Sequence, residues 1–232
     1  GGVLVSWTKP LGKPNTGEVR LARSDDGGAS FAAPITVHRD RQEITHRFET
    51  MIVGGDGRIY LAWIDKRDLE SAKATKKPYR GAAIYAAVSD DGGRSFKPET
   101  RVADHSCECC RIAAAVDTDG APLILWRHVF EPNERDHALA KLKPDGAPAG
   151  VERATFDRWK VDGCPHHGPA LAVAPDGTRH AVWFNQKDGE GRAFYGRLVA
   201  GGVEGQRFVG GEQAARADIA VAGRRMVILW KE

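Results

Sequence analysis

The sequence predicts an all-β fold of repeated four-stranded antiparallel blades, on three observations. A Ser-x-Asp-x-Gly-x-x-aromatic segment occurs twice, and a short apolar strand ending in Trp recurs along the chain. The 27 glycines and 12 prolines are spread along the sequence, as many short elements joined by turns require. The Trp-to-Trp spacing is at or somewhat above the ~40–50 residues of the common propeller repeats, so a β-propeller is the expected architecture and its loops are expected to be long.

The first repeat is Ser24-Asp25-Asp26-Gly27-Gly28-Ala29-Ser30-Phe31, which returns as Ser89-Asp90-Asp91-Gly92-Gly93-Arg94-Ser95-Phe96. Its chemistry is that of a tight turn: the Asp bonds back to the turn's backbone, Gly supplies a positive φ, and the aromatic ring packs the turn on the sheet. The second repeat is an apolar strand that follows an Asp-Gly turn. It is seen as Ile59-Tyr60-Leu61-Ala62-Trp63 after Asp56-Gly57, Leu123-Ile124-Leu125-Trp126 after Asp119-Gly120, and His180-Ala181-Val182-Trp183 after Asp176-Gly177. Met226-Val227-Ile228-Leu229-Trp230 follows Ala222-Gly223-Arg224, and Val3-Leu4-Val5-Ser6-Trp7 opens the series. These read as the first and second strands of a blade joined by a hairpin, with the tryptophans as core. The segment Gly205-Gln206-Arg207-Phe208 reads as a decayed copy of the first repeat.

On these residues the chain resembles the sialidase-like (neuraminidase) superfamily of propellers, whose BNR repeats, or Asp-boxes, match the two Ser-x-Asp-x-Gly segments. The resemblance implies six blades, with each Asp-box between the third and fourth strands on the rim away from the catalytic face. This chain supplies three nearly whole blades, at 45–104, 105–158 and 162–210, and two partial ones. Residues 1–232 are therefore expected to form a single propeller domain, incomplete at both ends or part of a longer one, and the opening Gly1-Gly2-Val3 suggests a processed or trimmed chain.

Counting back from each Trp aligns the segments that lead into the innermost strands. His46-Arg47, Cys109-Cys110 and His166-His167 fall in register, as do Ile44, Cys107 and Cys164. Loops leaving the second strands add Asp65, Arg67, Arg127, His128, Arg135, Asp136 and His137 to the same face. Thiolates and imidazoles at this density suit copper or zinc, with Cys107, Cys109, Cys110, Cys164, His166, His167 and His46 as the candidate ligands. Disulfides or inert thiols are the competing readings. A Cys107–Cys164 bridge would staple adjacent blades, and four cysteines allow three pairings that spacing alone does not separate. Arg111 follows Cys110 where haem attachment needs His, so haem is not expected, and no nucleotide motif is present.

The resemblance also implies glycosidase parts: an arginine triad that grips the substrate carboxylate, a Tyr–Glu nucleophile and an Asp acid/base. Arg47, Arg111, Arg127 and Arg135 are the candidate anion binders, with Asp65 and Asp136 as the carboxylates. The family's early Arg-Ile-Pro is not found among them, and the late units hold only Tyr195. His38 and His180 read as packed or rim residues. The expected partner is a small molecule or metal at the channel mouth, with a protein partner as a further option. Charges are mixed, 34 basic and 31 acidic, with no basic aromatic run for nucleic acid. No stretch approaches the ~20 apolar residues of a membrane helix. Paired cysteines point to a periplasmic or secreted setting.

Overall fold

The computed structural model describes residues 2–187, 190–223 and 225–232, with the side chain of Lys187 left aside. Arg224, in the turn before the last Trp-ending strand, lies outside the described residues, as does Gly1. The strands form five antiparallel sheets in sequence order. The first holds β1 (Val3–Pro10), β2 (Gly17–Ser24) and β3 (Ile35–Thr36). The second holds β4 (His46–Val53), β5 (Ile59–Asp65), β6 (Ala82–Ser89) and β7 (Thr100–Ser106), with helix α1 (Arg67–Ala74) between β5 and β6. The third runs through β8 (Ala113–Val116), β9 (Pro122–Arg127), β10 (His137–Leu142) and β11 (Pro148–Arg153). The fourth runs through β12 (Ala170–Val173), β13 (Arg179–Lys187), β14 (Glu190–Val199) and β15 (Gly202–Phe208), and the fifth pairs β16 (Ala215–Ala222) with β17 (Arg225–Lys231). Three four-stranded meanders flanked by a three-stranded and a two-stranded sheet match the expected blades.

The core lies between blades rather than within them. Successive strand residues point to opposite faces, so a strand covered on both sides is apolar throughout. In β5, Tyr60, Ala62 and Ile64 join Ile124 and Trp126 of the third sheet, while Leu61 and Trp63 join Val19 and Leu21 of the first. Trp183 packs with Leu123 and Leu125 in the same way, so each of these tryptophans faces the preceding blade. Trp63, Trp126 and Trp183 are fully buried core, as their regular placement predicts, but Trp7 is half-buried and Trp230 is 45% exposed, because each lies in a terminal sheet with a described neighbour on one side only. The first strand of each sheet touches the next in order, β4 to β8 to β12 to β16. Those innermost strands are only half-buried, because they border a central space.

The Ser24–Phe31 segment turns between β2 and β3, the last two strands of the first sheet, and Ser89–Phe96 turns between β6 and β7, the third and fourth strands of the second. Ser24 Oγ accepts the Gly28 N–H at 2.8 Å, and Asp26 accepts the Ser30 N–H at 2.9 Å and its hydroxyl at 2.6 Å. Ser89 and Asp91 repeat these bonds to Gly93 and Ser95. Hydrogen bonds from Ser24 and Ser95 hold Asp26 and Asp91 respectively well below the usual carboxylate range. Gly27, Gly28, Gly92 and Gly93 all take positive φ, the backbone region that favours glycine.

Three expectations need correction. Phe96 packs on the core between the first two sheets, but Phe31 is 45% exposed, because it lies on the face of the first sheet that no described sheet covers. Gly205-Gln206-Arg207-Phe208 is not a turn: it lies inside β15, because the chain already reverses at Ala200-Gly201, where Gly201 has φ +71°. The connection after Asp65 is not a plain loop but contains α1, whose good helix formers carry Asp68 and Glu70 in the first turn, where they complement the helix dipole.

Candidate functional site

The half-buried ends of β4, β8, β12 and β16 and the segments that enter them line a cavity of about 590 Å³. Its wall includes Phe48, Cys109, Arg111, His166, His167, Arg216 and Asp218. The backbones approach closely there: a Cβ on Gly168 would lie 2.6 Å from the Arg111 carbonyl oxygen, so only glycine fits. Three non-glycine residues on this wall occupy the left-handed region, Phe48 at φ +58°, His166 at +56° and Arg216 at +52°. Such conformations cost of order 1–2 kcal/mol each and cluster at functional sites. Arg216→Gly should therefore raise stability by roughly 0.5–1 kcal/mol. Chemical denaturation checks this, and a destabilised variant would contradict the strain assignment.

A cluster of four cysteines meets the cavity at Cys109. Cys109 and Cys164 are joined in a disulfide that ties the segment after β7 to the segment before β12. The bridge that staples neighbouring blades thus uses Cys109 rather than Cys107. Cys107 and Cys110 are free thiols, both fully buried. Cys107 Sγ lies 3.0 Å from Cys110 Sγ and 3.8 Å from Cys109 Sγ. The hydrogen bond from Cys110 brings Cys107 down to about 6 against the opposing effect of burial, with Arg127 and Arg135 helping. The same bond, with burial, pushes Cys110 up.

Arg127 stands behind the sulfurs. It is 1% exposed, and its guanidinium donates to the Arg135 carbonyl at 2.7 Å, to Asn185 Oδ1 at 2.8 Å and to the Phe184 and His167 carbonyls. Burial lowers its pKa, while the Cys110 and Cys107 sulfurs and Asp136 favour its charged form. Arginine does not deprotonate in proteins, so its charge is balanced by the acidic groups around it, the Cys107 and Cys110 sulfurs and Asp136. The Arg127 carbonyl accepts the Cys107 N–H at 2.9 Å, and Lys66 pairs with Glu108, which fixes the Cys-Glu-Cys-Cys segment from two sides.

The remaining predicted residues divide clearly. Arg111, His166 and His167 reach the cavity. The His167 ring stacks on Phe184 at 4.1 Å, and its Nδ1 is buried without a hydrogen-bond partner. His46 belongs elsewhere: its Nδ1 meets the Gly17 carbonyl at 3.0 Å, its ring stacks on His38 at 4.0 Å, and its Nε2 lies 3.7 Å from both Asp40 and Asp65. Asp65 is fully buried and accepts from Trp63, the Arg67 guanidinium and the Arg67 N–H. Asp136, also fully buried, accepts from Arg153, Asn185 and the Arg158 N–H, and burial pushes its carboxyl up against the pull of Arg153. Arg47 bonds Asn15 Oδ1 at 3.2 Å, and Arg135 borders a separate cavity of about 440 Å³ with Asn133 and Asp162. His137 is enclosed against Thr155. The register misses Arg216 and Asp218: in the unit ending at Trp230 the equivalent positions are Gln213 and Ala214, so nothing in the spacing singled them out.

Two of the enclosed histidines make the fold acid-sensitive. Burial brings His38 and His128 down to about 4. Both are neutral when folded, whereas the unfolded chain takes up protons from about pH 6.5. Stability should accordingly fall as pH drops from about 6.5 to 4, by on the order of 1–3 kcal/mol per histidine. Denaturant midpoints across that range check this, and a flat or rising profile would contradict it.

The sequence matches no protein-family model and no curated protein. In structure the chain is similar to a protein of unknown function from Dyadobacter fermentans, at 15% identity and TM-score 0.64, over 99% of this chain and 71% of that one. It is similar to the α-L-arabinanase of Penicillium chrysogenum at 13% identity and TM-score 0.60, over 99% of this chain and 67% of the arabinanase. The fold is a β-propeller. A third likeness, to a variant of the NanB sialidase from Streptococcus pneumoniae, has 12% identity and TM-score 0.57 over 92% of this chain. The chain spans 32% of that sialidase's length. At these identities the propeller likeness describes architecture, and the chemistry rests on this chain's own cavity.

Proposed function

We propose that this is an Asp-box propeller that holds a transition metal, copper or zinc, at the cysteine cluster beside its cavity. The observation that carries the reading is the gathering of Cys107, Cys109, Cys110 and Cys164 in one cluster, which meets the cavity at Cys109, on the wall that also presents His166 and His167. Thiolate-rich sets select copper(I) and zinc over magnesium or calcium, which take oxygen ligands. Reduction of the Cys109–Cys164 bridge would make four sulfurs available, and Arg127 behind them would offset the negative charge that several thiolates bring. His46 lies in the other cluster, with Asp40 and Asp65, where Arg67 already supplies a cation. A bridge of this kind suits a periplasmic or secreted setting. Titration of reduced protein with copper(I) against a chromophoric chelator tests the proposal: one equivalent held, and lost in Cys107→Ser and Cys164→Ser, supports it, whereas no competition with the chelator would sink it.

A second reading is favoured by Arg111 and Arg216, which share the cavity with Asp218. Paired guanidiniums suit a carboxylate-bearing sugar, and the fold's similarity to a sialidase and an arabinanase makes glycoside hydrolysis the reaction to test. Among the described residues no tyrosine lines this cavity: Tyr60, Tyr85 and Tyr195 are buried in blades, and Tyr79 bonds Asp104. Release of fluorophore from a fluorogenic sialoside would establish this reading, and absence of turnover with intact folded protein would remove it.

A further inference from the structure

We infer that the four cysteines form a two-electron thiol–disulfide relay, in which Cys107 and Cys110 exchange with the Cys109–Cys164 bridge. The inference goes beyond the metal reading and does not depend on it. A dithiol and a disulfide stand in contact: Cys107 Sγ is 3.0 Å from Cys110 Sγ and 3.8 Å from the bridged Cys109 Sγ. Cys107 therefore reaches a nucleophile's partner on one side and a disulfide electrophile on the other. Their exposures differ in a directional way. Cys107 and Cys110 are each 1% exposed, whereas Cys109 lines the cavity and Cys164 is exposed. The reducing equivalents are stored inside and the oxidised bridge faces out.

The chemistry balances without an external reagent. The Cys107 thiolate attacks Cys109 Sγ; the Cys107–Cys109 bond forms, the Cys109–Cys164 bond breaks, and Cys164 leaves as a thiolate. Cys164 takes up the proton that Cys110 gives up. The Cys110 thiolate then attacks Cys107 Sγ, forming Cys107–Cys110 and releasing Cys109 as a thiolate. The net change moves one disulfide inward and one thiol and one thiolate outward, with no gain or loss of electrons. Cys109 and Cys164 can then reduce a small-molecule disulfide in the cavity: two electrons and the Cys164 proton pass to it together with one proton from solvent, and the Cys109–Cys164 bond re-forms, leaving Cys107–Cys110 oxidised after this single turnover. A substrate of that class suits a cavity of about 590 Å³ whose wall presents Arg111 and Arg216 to its anionic groups.

The test is disulfide mapping of the full chain. Protein freed of metal with a chelator is incubated with a trace of glutathione, quenched in acid, alkylated, digested and mapped by mass spectrometry. Wild type is expected to show both Cys109–Cys164 and Cys107–Cys110. Cys110→Ser should stall the relay, giving Cys107–Cys109 with Cys164 alkylated, and Cys107→Ser should leave Cys109–Cys164 alone. Wild-type protein with only Cys109–Cys164 at every time from pH 6 to 9 would overturn the inference, and needs no variant to fold. Since no metal is present, the result is independent of whether the protein binds one.

Discussion

Replacing Cys164 with Ser should lower the stability of the oxidised protein by roughly 4 kcal/mol. The Cys109–Cys164 bridge closes a loop of 55 residues, and chain entropy removed from the unfolded state grows with that length. The bridge also joins the entries to two neighbouring blades at the cavity wall, so its loss loosens the segments that present Arg111, His166 and His167. Denaturant unfolding of wild type and variant, with and without reductant, reads the effect directly. The expected difference is large without reductant and disappears with it, because reduced wild type has lost the same constraint. A variant as stable as oxidised wild type would show that the bridge does not form in the folded protein.

Arg127→Met should cost about 3–5 kcal/mol. The substitution keeps much of the side-chain volume but removes donors to the Arg135, Phe184 and His167 carbonyls and to Asn185, all in a region closed to water. Each buried acceptor left unpaired costs about 1–3 kcal/mol. It also removes the positive charge that favours the Cys107 thiolate. Two readouts should therefore move together: the unfolding midpoint falls, and the thiolate absorbance of Cys107 titrates at higher pH. Arg127→Lys should recover part of the titration but little of the stability, since an ammonium lacks the planar fork. A loss below about 1 kcal/mol would mean that Arg127 is not the buried keystone of these loops.

The blade order was legible because the sequence writes it at two periods. Tryptophan at the end of each second strand, alternating side chains in β5 and β9, and Asp-Gly turns all express the same radial plan. The turns at Gly57, Gly120 and Gly177 take positive φ as their sequences demand. The site was legible as a face but not as a set of partners. Equivalent positions in a blade share a height along the channel, yet their side chains turn toward different neighbours. His46 turns back to His38 and the Gly17 carbonyl of the first sheet, whereas Cys109 turns toward the segment that carries Cys164. Asp65 and Asp136 looked available because charged residues at strand ends face solvent in most folds. Here Arg67 and Arg153 fold back over them and seal both carboxylates. The left-handed backbone at Phe48, His166 and Arg216 had no signature at all, since no glycine marks those positions.

The most direct measurement of the central claim is X-ray absorption at the copper and zinc edges on reduced, metal-titrated protein. One tightly held metal with a first shell dominated by sulfur is expected, near the ~2.3 Å typical of zinc–thiolate bonds if the metal is zinc. Cys107→Ser and Cys164→Ser should each remove a sulfur from that shell. A shell of nitrogen and oxygen only, or a spectrum unchanged by both substitutions, would place the metal elsewhere and contradict the assignment of this cavity as the binding site.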